Sequence, residues 1–167
     1  MTTSTENIQA IPVPIPARLD VDAVVPAFSK AMNNLDRATA RELDRAGLSA
    51  SLRELVRLRA SQLNGCSYCV DVHGAAAIAA GEPVQRVLAV AVWRESAFFT
   101  ARERAALAFT ESVTLAAQTK VPAAEFALVA EQFSTEEVGA LLALVITINA
   151  WNAIGVAARP WEPTLAW

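Results

Sequence analysis

Two cysteines, one histidine and one tyrosine are all that this 167-residue chain holds of those types, and all four fall between Cys66 and His73. The run reads Cys66-Ser67-Tyr68-Cys69-Val70-Asp71-Val72-His73, preceded by Glu54, so the pattern is E-x11-C-x2-C-x3-H. On a helix turning ~100° per residue, Cys66, Cys69 and His73 share one face, with His73 one turn (~6 Å) beyond Cys69. Three features favour thiol chemistry. A helix start presents unpaired amides and the positive end of the dipole, which stabilise a thiolate. Cysteines three apart can reach disulfide geometry, so an attacking and a resolving thiol are both present. An imidazole one turn away can move protons near neutral pH. Glu54 could orient that imidazole if its own helix packs against this one.

Blander readings exist for each residue. A buried cysteine is often only a small hydrophobe, and Glu54 could pair with Arg53 or Arg57 on a solvated face. A zinc site built from Cys66, Cys69, His73 and Glu54 also competes, but three of those ligands crowd onto one helix, where tetrahedral closure is hard. The only imidazole lying four residues from a cysteine tips the balance towards a redox pair.

The elements that must position this set are helical. Ala, Leu, Arg and Glu dominate, apolar residues recur at helical spacing, and no stretch alternates with period two. The expected fold is all-α, with six to seven helices. One helix should run from about Pro26 to Ala46, ending at Gly47. A second follows Ser49, with the stripe Leu52, Leu55, Val56, Ala60 and Leu63, and stops at Asn64-Gly65 as a C-cap. A third covers about Ser67 to Ala80. Pro83 should open a fourth, to about Trp93. Thr100 with Glu103 and Ser134 with Glu137 have capping-box spacing, starting helices to about Ala117 and Ala158, with another from Pro122 to Gln132 between them. Residues 1–26 read as an extended arm in which Ile11-Pro12-Val13-Pro14-Ile15-Pro16 alternates proline with apolar residues, and 27–167 as a single helical domain. A faint echo at an offset of 85 residues pairs Leu63-Asn64 with Ile148-Asn149.

Composition narrows the function. The net charge is −3 and the 12 Arg and 2 Lys are scattered, so neither nucleic acid nor an anionic membrane surface is expected as a partner. Two cysteines cannot build a disulfide scaffold and no secretory leader pattern opens the chain, so a cytoplasmic setting is expected. Val138 to Ala158 is 21 residues without a charge, long enough to span a bilayer. Asn149, Asn152 and the acidic start at Glu136-Glu137 argue instead for a buried helix, and in so small a chain for one that joins a subunit interface.

The run from Leu58 to His73, Leu-Arg-Ala-Ser-Gln-Leu-Asn-Gly-Cys-Ser-Tyr-Cys-Val-Asp-Val-His, resembles the AhpD-like alkylhydroperoxidases of the carboxymuconolactone decarboxylase superfamily. Trp93-Arg94-Glu95-Ser96, Phe99 to Leu107, and Ile148-Asn149-Ala150-Trp151-Asn152 are similar to its peroxidase-related branch, so the likeness covers roughly residues 20 to 160. The resemblance implies an AhpD-like helical fold, a homo-oligomer (trimer or hexamer), and a thiol peroxidase for organic hydroperoxides or hydrogen peroxide. It assigns peroxide attack to Cys69, disulfide formation to Cys66, and a proton relay to His73 and Glu54. No cofactor or metal is implied, but an external dithiol or protein reductant is. One position departs from the best-characterised type, which has His where this chain has Tyr68. The competing expectations are a redox-sensing or interaction module with little turnover, and a lyase like the decarboxylases, which typically lack the cysteine pair.

Overall fold

In the computed structural model, residues 13–163 are described and contain helices without any strand. The helices are α1 (Val21–Val24), α2 (Pro26–Arg45), α3 (Ala50–Asn64), α4 (Ser67–Ala79), α5 (Val84–Ala89), α6 (Ala101–Thr114), α7 (Ala116–Thr119), α8 (Ala123–Gln132) and α9 (Thr135–Ala158). A 3-10 segment, Val90–Glu95, follows α5. Setting aside the single turns α1 and α7, seven helices remain among the described residues, as the sequence leads one to expect.

The caps explain where the elements start and stop. The side chains of Ser49, Thr100 and Ser134 accept from backbone amides three residues on, and Glu103 and Glu137 reach back to close two capping boxes. Gly65 ends α3 in the left-handed conformation (φ 70°), which glycine adopts without strain. The corner it makes is only one residue from the start of α4.

Three expectations are corrected. The stretch after Pro83 is not one helix to Trp93: α5 gives way to the 3-10 segment, and Val92 departs from helical geometry. The Arg104 guanidinium binds the carbonyls of Trp93, Arg94 and Ser96, drawing this segment against α6. The helix from Thr100 stops at Thr114 and resumes as α7 after Leu115. The arm is not extended throughout, since Asp20 caps the turn α1, and Arg18 and Leu19 donate amides to the Ala158 carbonyl. Ile11 and Pro12 lie outside the described residues.

Helix α3 is the axis of the molecule. Leu52 and Val56 enter one core with Leu43, Phe109, Leu141 and Leu144, drawn from α2, α6 and α9. Leu55 and Leu58 enter a second core with Ala77, Val90, Trp93 and Leu107. Each such fully buried leucine contributes roughly 1.5–3 kcal/mol. With two apolar faces committed, the remaining stripe of α3 carries Glu54, Arg57, Ser61 and Asn64 at helical spacing.

Helix α9 packs Leu141, Leu144, Val145 and Ile148 inward, while Leu142 and Ile146 on its other side are exposed. It is long and apolar enough to cross a membrane by length and composition, yet one face forms the floor of the larger core.

Candidate active site

The site is assembled where the polar stripe of α3 meets the start of α4. Asn64, at the last turn of α3, donates to Asn149 Oδ1 (2.7 Å) and Asn152 Oδ1 (2.9 Å) of α9. Asn152, fully buried, donates in turn to Ser61 Oγ at 3.0 Å. Satisfied amide networks of this kind fix one packing arrangement, because any slip would leave buried polar atoms unpaired. The two asparagines that echo each other in sequence are therefore bonded to each other in space, and they clamp the end of α3 beside the cysteines.

Cys66 is the N-cap of α4, its Sγ accepting from the Cys69 amide at 3.4 Å. Cys66 and Cys69 are joined as a disulfide, with Cα atoms 5.3 Å apart. His73 lies one turn further along α4. Its Nδ1 is 2.8 Å from Glu54 Oε2, so α3 and α4 do pack as the hairpin that the spacing requires. Glu54 is also paired with Arg57 through its other oxygen. The functional and the bland reading of Glu54 are both realised at once.

This arrangement has a definite electrostatic sense. Burial pushes the Glu54 carboxyl up, but the hydrogen bond from His73 and the Arg57 guanidinium outweigh it and hold the group below its ordinary value. An ionised carboxylate can only accept, so His73 Nδ1 carries a proton and donates. That fixes the neutral ring's tautomer and leaves Nε2 as its basic nitrogen.

Both cysteines are almost wholly buried (2% and 4% exposed), so chemistry must reach them through cavities. Cys69 and His73 line one of about 430 Å³, together with Asp36, Arg57, Tyr68 and Trp151. Cys66 lines another of about 840 Å³. The structure thus brings together all four residues singled out from the sequence. No group of three or more metal-ligating side chains with metal-binding geometry occurs among the described residues.

Sequence reasoning missed Trp161 and Gly155. Trp161 follows the end of α9 and sets its ring 5.3 Å from Tyr68 and 5.9 Å from Trp151. A tail tryptophan carries no local signal of such a role. Gly155 does: a glycine within an apolar helix marks a close approach. A Cβ there would stand 2.7 Å from Cys66 Sγ.

Comparison with known proteins gives the family and the fold. Residues 26–112 match the model of the carboxymuconolactone decarboxylase family. The chain belongs to that family. Its AhpD-like character comes from solved structures. ATU0492 of Agrobacterium tumefaciens, a protein of unknown function considered a candidate AhpD antioxidant defence protein, superposes with a TM-score of 0.83 at 33% identity, covering 89% of this chain and 99% of that one. An uncharacterised peroxidase-related protein with an AhpD core from Ralstonia eutropha JMP134 gives 0.74 at 26% identity, over 87% and 75%. The uncharacterised YdfG of Bacillus subtilis (strain 168) is 31% identical over 140 residues, 84% of this chain and 92% of that protein. In the chain described here, Cys66 and Cys69 both lie within the segment that matches the family model.

Proposed function

We propose that this family member is a thiol peroxidase that reduces organic hydroperoxides or hydrogen peroxide. The observation that carries the reading is that Cys69 opens on the same cavity as His73, whose Nδ1 is held by Glu54 at 2.8 Å. In the dithiol form, His73 Nε2 takes the Cys69 proton, and the thiolate attacks the outer oxygen of the hydroperoxide. The O–O bond breaks, the alcohol leaves with the proton returned by His73, and Cys69 becomes a sulfenic acid. Cys66 then attacks Cys69 Sγ, expelling water and forming the Cys66–Cys69 disulfide. An external dithiol or protein reductant returns two electrons and two protons. Arg57 joins the site by holding the second oxygen of Glu54.

With dithiol present, purified protein should consume cumene hydroperoxide over many turnovers, and Cys69→Ser should abolish turnover. Undiminished activity in that variant would sink the mechanism. Stoichiometric oxidation without turnover, whatever reductant is offered, would mark a redox sensor instead. Turnover of a lactone or β-keto acid that survives replacement of both cysteines would mark lyase-type chemistry.

The exposed apolar side of α9, with Leu142 and Ile146, supports assembly into a homo-oligomer. Light scattering should return a trimer or hexamer, and a monomer near 17.8 kDa would contradict this.

A further inference from the structure

The two cysteines of the pair line different chambers. Cys69 lines the smaller one, with the imidazole, a guanidinium and Asp36. Cys66 lines the larger one, whose walls include Val13, Pro14 and Ile15 of the arm and Val156 of α9. Tyr68 and Trp161 line both, their rings tilted at 33° with centroids 5.3 Å apart, so this pair is the wall that the two chambers share. The charged residues of the larger chamber are Asp71, Arg159 and Glu162, a net negative set. Neither His73 nor Glu54 reaches it.

We infer that the active site is two-sided: the disulfide is reduced from the larger chamber, by a small uncharged thiol with an apolar body, which attacks Cys66 and not Cys69. The thiolate bonds to Cys66 Sγ, and the Cys66–Cys69 bond breaks with its electron pair passing to Cys69. Cys69 leaves into the chamber that holds His73 and is protonated there. A second thiol attacks the adduct's outer sulfur, Cys66 leaves as a thiolate, and two thiols have become one disulfide while the protein has gained two electrons and two protons. Trp161 is a positioning residue in this scheme: its ring keeps the two approaches separate.

This inference rests on the redox reading of the pair but not on peroxide being the oxidant, so its test starts from disulfide made with diamide. Oxidised protein is treated with benzyl mercaptan, trapped with excess N-ethylmaleimide, and mapped by tandem mass spectrometry. The expected product carries the benzylthio group on Cys66 and the maleimide on Cys69. The reverse pattern, or an even split, overturns the inference. Relative to a small model disulfide, benzyl mercaptan should outpace anionic 2-mercaptoethanesulfonate by about tenfold, the gain from burying part of the ring. Equal relative rates would remove the apolar specificity. Trp161→Ala should erode the preference for Cys66, whereas Trp161→Phe should keep it. An unchanged product ratio in a folded Trp161→Ala protein would remove the role given to that ring. Failure of the peroxide assay with a Cys66 adduct in hand would reject the peroxidase reading alone.

Discussion

Two glutamates on neighbouring helices illustrate how one local design serves two ends. Glu54 on α3 and Glu111 on α6 are both largely buried, at 12% and 15% side-chain exposure, and both carboxyls are held below their ordinary value against the opposing effect of burial. Glu111 accepts from Arg59 and from the Trp93 indole, both at 2.7 Å, and from Arg94 at 2.6 Å. None of those donors changes charge near neutral pH. Glu54 exchanges one such fixed donor for an imidazole, and that imidazole lines a cavity with a cysteine. A carboxylate surrounded by permanent donors is a rivet, while one that holds an imidazole orients a group able to carry a proton.

The largest effect that separates the two is kinetic. Glu54→Gln should slow the reaction of the thiol with peroxide by about a hundredfold, within the range for general acid–base groups, while costing no more than about 1 kcal/mol of stability. Stopped-flow oxidation alongside urea unfolding measures both, and an unchanged rate would reduce Glu54 to a second rivet. Glu111→Gln should do the opposite. It leaves Arg59 and Arg94 without a charged partner, costing about 2 kcal/mol and about 5 °C in Tm, with the oxidation rate kept within about twofold. A rate falling along with stability would show that the two regions are not separable.

The smallest effect is shared. Both folded-state carboxyls lie below the ordinary value of 4.5, so each stabilises the fold fully above that value, and the contribution fades as pH falls through the lower folded value. Either Gln variant should therefore flatten the decline of Tm between about pH 5 and pH 3. A decline as steep as that of the parent protein would show that these carboxyls do not set acid stability.

Much of this was legible in the sequence because it is written in local rules. Ser49, Thr100 and Ser134 announce helix starts, Gly65 announces a stop, and the spacing from Glu54 to His73 fits a two-helix hairpin. Other features were set by contacts distant in sequence. The break at Val92 depends on Arg104 reaching the carbonyls of that segment from another helix. The exposed side of α9 cannot be told from the buried side when apolar residues surround the helix. Trp161 reaches Tyr68 only because α9 ends at Arg159 in a left-handed turn (φ 48°) that sends the tail back over the site.

The place of Cys66 at the N-cap of α4 bears on the energy of the electron couple. An ordinary cap residue offers one unchanging acceptor to the helix. Here the acceptor is itself half of the couple, and when the pair is reduced a thiolate at that position would sit against the positive end of α4. Whatever the helix gains from a charged cap is added to the stability of the reduced form, which raises the midpoint potential and makes the disulfide a stronger oxidant. The folding of this helix and the redox poise of the site are two readings of one free energy.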